Sequence, residues 1–370
     1  MSTPHPRLAK VQQKLLADGL DAVLIMSPAA TTYLSGCYLL TQTVIPKREA
    51  YVLVTGGGHA SYLVCNIEEK MAREDSWIED LQTYVEFKEE PATAVSRLLH
   101  QHNLTHARVG IETHTLPAAS AQLLRDALPF CTFSSWDTSI AEIMMIKEPE
   151  EVEAIETAGR LTLRAITNAL THAAPGSSER TVFTAMMTEM MGHSLYPMFN
   201  VFTSGPNTLL VHGEPSSRIL QPGDLIRLDV GGRWPSHYLS DMARTAVVTA
   251  PAPQQADNYR KLYNAQMETI EAVRPGIPIS DLYHVCAASY AEQNIPFSMP
   301  HIGHSMGIGL HEHPLIHPGE TTLIQPGMVL NIEPFLADPV RGEKKKATTS
   351  KTSLSSPTPA TASSPTPRRS

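Results

Sequence analysis

Two aspartates lie in or beside apolar segments, where an ionised carboxylate is costly unless it is paired or bound to a metal. Asp229 lies within LIRLDVGG, and Asp241 follows twelve residues later at the start of the next apolar run. A hairpin would bring both carboxylates to one point, where divalent cations would hold them ionised against their mutual repulsion. Taken alone, the pair leaves two interpretations open: a metal site, or a turn acid followed by an acid at the end of a strand.

Histidines are concentrated in a glycine-rich segment further along the chain. The segment PHIGHSMGIGLHEHP contains four of them, namely His301, His304, His311 and His313. Its glycines permit close approach of the backbone to a ligand. Because His304 and His311 are seven residues apart, one can bind a metal while the other acts as an acid or a hydrogen-bond donor.

Glu333, in MVLNIEPF, adds a further carboxylate at the predicted end of a strand. Two aspartates, a histidine and a glutamate form a mainly oxygen donor set. Such a set suits Mn²⁺, Co²⁺, Fe²⁺ or Zn²⁺ and is unlike a thiolate zinc site. Together, the four residues predict a metallohydrolase centre.

The elements that would position these residues contain an internal repeat. The tripeptide Gln-Pro-Gly occurs at 221–223 and again at 325–327, each time before a predicted strand. The first strand reaches Asp229 six residues after its glycine, and the second reaches Glu333 six residues after its glycine. Pro-Gly turns before strands are common. The alternative is a duplicated half-domain whose two halves meet at one site.

Two domains are predicted. Residues 1–145 alternate helical and strand patterns, which is typical of an α/β domain. The KEPEE stretch then begins a new helix, because Pro149 and the neighbouring glutamates suit a first helical turn. Runs of helices and hairpin strands without regular βαβ alternation predict an α+β second domain over residues 150–343.

The composition changes abruptly after residue 343. The chain has 370 residues and a net charge of −8, yet residues 344–370 carry six basic residues and no acidic one, which leaves the remainder at −14. An acidic body argues against nucleic acid as a partner. The final segment is rich in Ser, Thr and Pro, so residues 344–370 are predicted to form a disordered tail.

The four cysteines lie far apart without a CxxC pair, namely Cys37, Cys65, Cys131 and Cys286. This spacing indicates reduced cysteines and favours neither a zinc knuckle nor a disulfide framework. The N-terminal segment MSTPHPRLAKVQQK has no apolar targeting region, and the sequence has no run of about 18 apolar residues. We therefore expect a cytoplasmic protein without a membrane partner.

The motifs around Asp229, Asp241, His304 and Glu333 resemble those of the pita-bread metallopeptidases (peptidase M24), the family of methionine aminopeptidase, aminopeptidase P and prolidase. The resemblance extends over residues 1–343 and includes an N-terminal domain similar to that of creatinase. It implies a creatinase-like α/β domain followed by a pita-bread α+β domain, whose pseudo-twofold axis would produce the Gln-Pro-Gly repeat. It also implies that these four residues bind two divalent cations. Mn²⁺ or Co²⁺ is the preferred assignment, and Zn²⁺ or Fe²⁺ is the alternative.

The same resemblance implies roles for further residues. His311 in HEHP would contact the substrate carbonyl or the intermediate, and His212 in LLVHGEP would lie near the scissile amide. Glu333 would orient the metal-activated hydroxide or accept its proton, as two-metal hydrolysis requires. His301 and Arg244 are candidate substrate-binding residues, and a structural ion pair is the alternative for Arg244.

The activity implied is that of a metallo-aminopeptidase or dipeptidase. Its substrates would be Xaa-Pro dipeptides or the N-terminal Xaa-Pro bond of short peptides. Two alternatives stay open: a hydrolase of another small amide from the same family, and a non-catalytic binding protein on this fold. The resemblance also implies a homodimer.

The fifth metal ligand of the family, a glutamate on the strand after Glu333, would fall near residue 345. The last acidic residue, Glu343 in RGEKKK, could substitute for this ligand, but no strand pattern follows it. Either a genuine extension follows a truncated domain, or the reading frame is shifted. If residues 346–354 are written with GC-ending codons and read one nucleotide earlier, they encode Gly-His-His-Leu-Glu-Asp-Leu-Ala, which is similar to the expected strand. Sequencing the coding DNA separates the two hypotheses.

Overall fold

The computed structural model describes residues 5–337, 349–351 and 354–355. The chain divides into two compact units, Met1–Met144 and Met145–Ser370. The second unit carries the carboxylate and histidine motifs. Within the described ranges, no helix combines the length and the apolar character needed to cross a bilayer.

The first unit is built on one mixed sheet. Its strands are β1 (Ala22–Ile25), β2 (Tyr51–Thr55), β3 (Ala60–Cys65), β4 (Asp80–Tyr84), β5 (Arg108–Ile111) and β6 (Thr132–Ser135). Its helices are α1 (Pro6–Ala17), α2 (Pro28–Ser35), α3 (Leu40–Val44), α4 (Glu69–Asp75), α5 (Pro91–Gln101), α6 (Ala118–Ala127) and α7 (Asp137–Met145). The sheet has the order β4-β3-β2-β1-β5-β6. Strand β2 pairs antiparallel with β1 and β3, and the other neighbours pair in parallel.

Burial on both faces explains why strands of this sheet are continuous apolar runs in the sequence. All four residues of β1 and all five of β2 are buried. Helix α5 contributes Val95, Leu98 and Leu99 to the same core. The prediction of an N-terminal α/β fold is therefore confirmed.

The second unit combines long helices with short antiparallel sheets. Its helices are α8 (Pro149–Leu170), α9 (Glu179–Gly192), α10 (Pro253–Glu271) and α11 (Ile279–Glu292). Its strands are β7 (Tyr196–Ser204), β8 (Leu225–Arg233), β9 (Met242–Val247), β10 (Gly303–Ser305), β11 (Glu312–Leu315), β12 (Leu330–Ile332), β13 (Phe335–Ala337), β14 (Thr349–Lys351) and β15 (Leu354–Ser355). The sheets have the orders β7-β8-β9, β11-β10-β12-β15 and β13-β14. This arrangement is the predicted α+β fold.

The two halves of this unit repeat the same local contacts. In the first half, the loop between α8 and α9 binds the turn before β8, where the N–H of Gly176 donates to the carbonyl of Leu220 at 3.2 Å. In the second half, the loop between α10 and α11 binds the turn before β12, where Gly276 donates to Ile324 at 2.9 Å. The repeated contacts agree with a duplicated half-domain, so the Gln-Pro-Gly repeat is more than a pair of common turns.

The segment after Glu343 differs in part from the prediction. Strand β14 pairs antiparallel with β13, and β15 pairs antiparallel with β12. Because ladder hydrogen bonds are made by backbone groups, a segment rich in Ser and Thr can pair without an apolar pattern. Thr349–Lys351 and Leu354–Ser355 are thus strands where the sequence predicted none, and the disordered tail over the remainder of residues 344–370 stays a prediction. Glu343 and the rest of residues 344–370 lie outside the described residues.

Candidate metal centre

The first two candidate ligands come from the β8–β9 hairpin. Asp229 lies within β8 opposite Ala243 of β9, and Asp241 directly precedes β9. Both side chains are buried, with 5% and 3% of the residue exposed. The hairpin predicted from their spacing is present, and it holds two carboxylates away from bulk water.

The other two candidate ligands come from β10 and the end of β12. His304 lies in β10 opposite Asn331 of β12, and Glu333 follows β12 with its N–H donating to the carbonyl of Ile302 at 2.8 Å. Nε2 of His304 is 3.3 Å from Oδ2 of Asp241 and 3.6 Å from Oε1 of Glu333. One ligand atom from each of Asp241, His304 and Glu333 lies within 4.8 Å of the others. The fold thus converges residues that are far apart in the sequence.

Three features of this cluster fit a bound cation. Oδ1 of Asp241 is buried and makes no hydrogen bond to any described residue, and Nε2 of His304 is buried between carboxylate oxygens at 3.3 and 3.6 Å without a well-aligned hydrogen bond, a costly state for polar atoms without a ligand. Nδ1 of His304 lies 3.0 Å from the carbonyl of Ser305, which can only accept, so Nε2 is left to coordinate. The donors are oxygens and one imidazole nitrogen, the set expected for a divalent transition metal.

Burial and like charges shift the ionisation of the cluster. Burial, with further contributions from Asp229 and Glu333, raises the pKa of Asp241 to about 6, although His304 opposes this. For His304, burial lowers the pKa, but the neighbouring Asp241 and Glu333 outweigh burial and raise it above its usual value. Without a cation, the cluster therefore holds protons that the unfolded chain would release.

Removing the metal should make stability fall as the pH rises. The folded-state pKa of Asp241 is about 6 and its unfolded value about 4, so the free energy of unfolding decreases across that window. The raised pKa of His304 acts in the same direction, because its contribution is lost as the pH passes the folded-state value. A bound cation favours the deprotonated ligands. The melting temperatures of chelated and Mn²⁺-loaded protein should therefore diverge from pH 5 to pH 7, and a constant difference would contradict this account.

A cleft of about 570 Å³ opens onto the cluster and contains most of the predicted site residues. They are His212, Asp229, Asp241, His301, His311 and Glu333. The ring of His311 stacks on that of His304 with centroids 3.8 Å apart, and the centroids of His301 and His311 are 6.5 Å apart. Three predicted histidines and three predicted carboxylates therefore share one cavity, and His304 lies beside it in contact with His311.

Arg244 is not among the described residues that line this cleft. It is half-buried, and its guanidinium donates to the carbonyl of Ala243 at 2.7 Å. Burial lowers its pKa. A role for Arg244 in substrate binding therefore stays a prediction.

The structure adds Arg227, which the sequence reading did not single out. This arginine is fully buried and donates to the carbonyls of Leu210 and Val211 at 3.1 and 2.5 Å, directly before His212. Burial lowers its pKa, while Asp229 and Glu333 oppose that shift. The sequence did contain a signal for Arg227. Residues two apart in a strand share a face, so an arginine two positions before Asp229 faces the same way as Asp229.

Three further polar contacts support the cluster. Nδ2 of Asn331 donates to Oδ2 of Asp241 at 2.8 Å, and both groups are buried. Nζ of Lys147 lies 3.1 Å from Oγ of Ser305, next to His304, and 2.9 Å from Oε2 of Glu312, next to His311. Such contacts orient ligands and loops, and their loss typically weakens metal sites.

The chain matches known protein families in both of its units. Residues 153–351, more than half of the chain, match the model of metallopeptidase family M24. The chain belongs to metallopeptidase family M24. Residues 7–146 match the creatinase/prolidase N-terminal domain. Membership confirms the predicted resemblance, the hydrolase class and the need for divalent metal ions.

Relatives of this M24 chain include proteins named for action on proline peptides. The Xaa-Pro dipeptidase of Pyrococcus horikoshii is 28% identical over 347 residues, covering 92% of this chain and 93% of the relative. The crystal structure of the prolidase from P. horikoshii matches with a TM-score of 0.80 at 26% identity, over 94% of both chains. The prolidase from Pyrococcus furiosus matches with a TM-score of 0.75 at 26% identity, over 92% of this chain and 95% of the other.

Proposed function

We propose that this M24 protein is a metallo-aminopeptidase or dipeptidase that hydrolyses Xaa-Pro dipeptides or the N-terminal Xaa-Pro bond of short peptides. The observation that carries the proposal is the convergence of Asp241, His304 and Glu333 at a cleft that also contains His212 and His311. Likeness to a Xaa-Pro dipeptidase over nine-tenths of the chain supports the choice of substrate. A volume of about 570 Å³ falls within the range of small-ligand pockets.

The proposed cofactors are two divalent cations held by Asp229, Asp241, His304 and Glu333, with Mn²⁺ or Co²⁺ as the preferred ions. When bound, such cations would supply Lewis-acid polarisation of a carbonyl and would acidify water. The carboxylates, buried as they are, bind a cation more strongly than solvated ones would. Asn331 and the carbonyl of Ser305 would hold Asp241 and His304 in the orientation that the ligands need.

The remaining residues of the cleft would act on the substrate directly. Glu333, at the end of β12, would accept the proton of the attacking water, a role suited to a carboxylate at the edge of a cavity. His311 is held over His304 by ring stacking, so we propose that it donates to the scissile carbonyl as negative charge develops. His212, in another part of the cleft lining, would donate a hydrogen bond near the scissile amide. His301 would contact the bound peptide.

Arg227 would act through the loop that carries His212. Arg227→Met removes the donors to the carbonyls of Leu210 and Val211. The resulting shift of His212 should lower kcat by about 100-fold, the typical cost of a small misplacement. Metal content should stay unchanged, and Arg227→Lys should recover part of the loss because one donor returns. A methionine variant with wild-type kcat would show that Arg227 does not position the loop.

A substrate series tests the proposed function. Purified protein with added Mn²⁺ or Co²⁺ is assayed against Ala-Pro, Ala-Ala and Ala-Pro-Gly, with release of amino acid measured. The proposal predicts hydrolysis of the two proline peptides and much slower hydrolysis of Ala-Ala. Bound metal without turnover of any peptide would point to another amide substrate, and absence of both would point to a binding protein.

A homodimer and a cytoplasmic location also stand as proposals. They rest on the family resemblance and on the composition. Size-exclusion chromatography with light scattering tests the dimer directly, because a mass near that of one 40.5 kDa chain would exclude it.

A further inference from the structure

A second cluster of metal-ligating side chains lies in the first unit, outside the cleft. His59 lies in the turn between β2 and β3, Asp80 is the first residue of β4, and His102 caps the end of α5. Strands β3 and β4 pair in parallel, and this pairing places Ser61 opposite Asp80. Two histidines separated by 43 positions in the sequence are thereby brought to one carboxylate.

The distances within this cluster match a tetrahedral metal site. Nε2 of His59 is 2.9 Å and Nε2 of His102 is 3.7 Å from the same oxygen, Oδ2 of Asp80. Metal–ligand bonds of about 2.0–2.1 Å place neighbouring ligand atoms of a tetrahedron about 3.3 Å apart, a value that lies between these two distances. One ligand atom from each of the three residues lies within 4.8 Å of the others. The two rings lie next to each other, with centroids 4.6 Å apart and planes tilted by 40°.

The central carboxylate is already held in place by other side chains. Oδ1 of Asp80 accepts from Nε2 of Gln82 at 2.7 Å, and Oδ2 accepts from the hydroxyl of Ser61 at 2.5 Å. Hydrogen bonds of this kind fix the orientation of a metal ligand.

We propose that His59, Asp80 and His102 form a binding site for a divalent transition metal ion, with water as the fourth ligand. The side chain of His59 is 48% exposed, so a cation can enter from solvent. Two imidazoles and one carboxylate make a softer set than the carboxylate-rich cleft, and such a set prefers Zn²⁺ or Ni²⁺ to Mn²⁺. A cation here would tie the β2–β3 turn, β4 and α5 together, so binding would stabilise the first unit.

The test separates this site from the cleft by disabling the cleft. Full-length Asp241→Asn/His304→Gln protein is titrated with Zn²⁺ in competition with a chelating dye, and bound metal is counted by mass spectrometry. One Zn²⁺ per chain is expected to remain, with a rise in melting temperature, while Mn²⁺ binds at least 100-fold more weakly. Adding His102→Asn should weaken Zn²⁺ binding at least 100-fold. His100→Asn, which changes an exposed histidine of α5, should not.

Any one of three results would overturn the proposal. The first is that the cleft-disabled protein binds no Zn²⁺ although circular dichroism shows that it is folded. The second is that His59→Asn and His102→Asn leave its Zn²⁺ affinity within threefold of the parent, which would place the ion elsewhere. Counting Zn²⁺ on the otherwise native chain, with and without His102→Asn, repeats the test in a protein whose cleft is intact. The same count before and after the substitution would contradict the site. Peptidase activity plays no part in these readouts, so the outcome is independent of the proposed function.

Discussion

Asp241→Asn should abolish cation binding in the cleft and lower kcat/KM for a Xaa-Pro dipeptide by about 10³-fold or more, because a metal contribution of several kcal/mol is lost. Oδ2 of Asp241 lies 3.3 Å from Nε2 of His304 and 2.8 Å from Nδ2 of Asn331. This residue is only 3% exposed and lies at the lining of the cleft. An amide in the same position supplies neither the negative charge nor the donor strength of the carboxylate. Steady-state kinetics with metal analysis measures both effects.

The loss of activity should not be a loss of fold. Burial disfavours the ionised carboxylate of Asp241, so the neutral amide should leave the melting temperature of the chelated protein unchanged or higher. Asp257→Asn is a matched control on α10, where the aspartate pairs with Arg260 and Lys261 away from the predicted ligands. It should keep wild-type kcat/KM. An Asp241→Asn protein with wild-type activity and metal content would contradict the assignment.

Lys147→Met should destabilise the protein by about 3–5 kcal/mol, the cost of leaving one partner of a buried ion pair uncompensated. Nζ of Lys147 and Oε2 of Glu312 are 2.9 Å apart, with side chains 2% and 9% exposed. Glu312 also accepts from the N–H of Gly309 at 2.8 Å, but no other cation of the described residues pairs with it. Denaturant unfolding followed by circular dichroism measures the change.

Two further variants test that explanation. The double variant Lys147→Met/Glu312→Gln removes the stranded charge as well, so it should recover much of the lost stability. Lys70→Met breaks an exposed pair with Glu74, in which the lysine side chain is 89% exposed, and should change stability by about 0.5 kcal/mol or less. Equal effects of Lys147→Met and Lys70→Met would show that the buried pair contributes no more than a surface pair.

The sequence predicted the residues that line the cleft, but it did not predict the contacts that hold those residues in place. Asp229, Asp241, His304 and Glu333 stand out because charged or ligating groups in apolar segments are unusual, and their spacing already predicts a hairpin and a repeated turn. Membership of family M24 then confirmed the fold and the enzyme class. The geometry adds that His212, His301 and His311 share the same cavity.

The supporting contacts could not be predicted from local pattern. Lys147 reaches Glu312 across 165 positions of sequence, and nothing near either residue specifies the other. The cluster of His59, Asp80 and His102 likewise depends on strand pairing and on where α5 ends. Strands β14 and β15 were missed for another reason, because backbone pairing at a sheet edge requires no apolar alternation in the added strand.

The most direct test of the metal centre is hydrolysis of a Xaa-Pro dipeptide as a function of metal added back to chelated protein. Mn²⁺ is the suitable ion, because the nitrogen-rich site of the first unit should bind it weakly. The account predicts that the chelated protein has no activity and that hydrolytic activity rises with added metal until it saturates near two Mn²⁺ per chain. It also predicts that added Mn²⁺ restores no activity to Asp241→Asn. Full activity in the chelated protein, or equal recovery in Asp241→Asn, would contradict it.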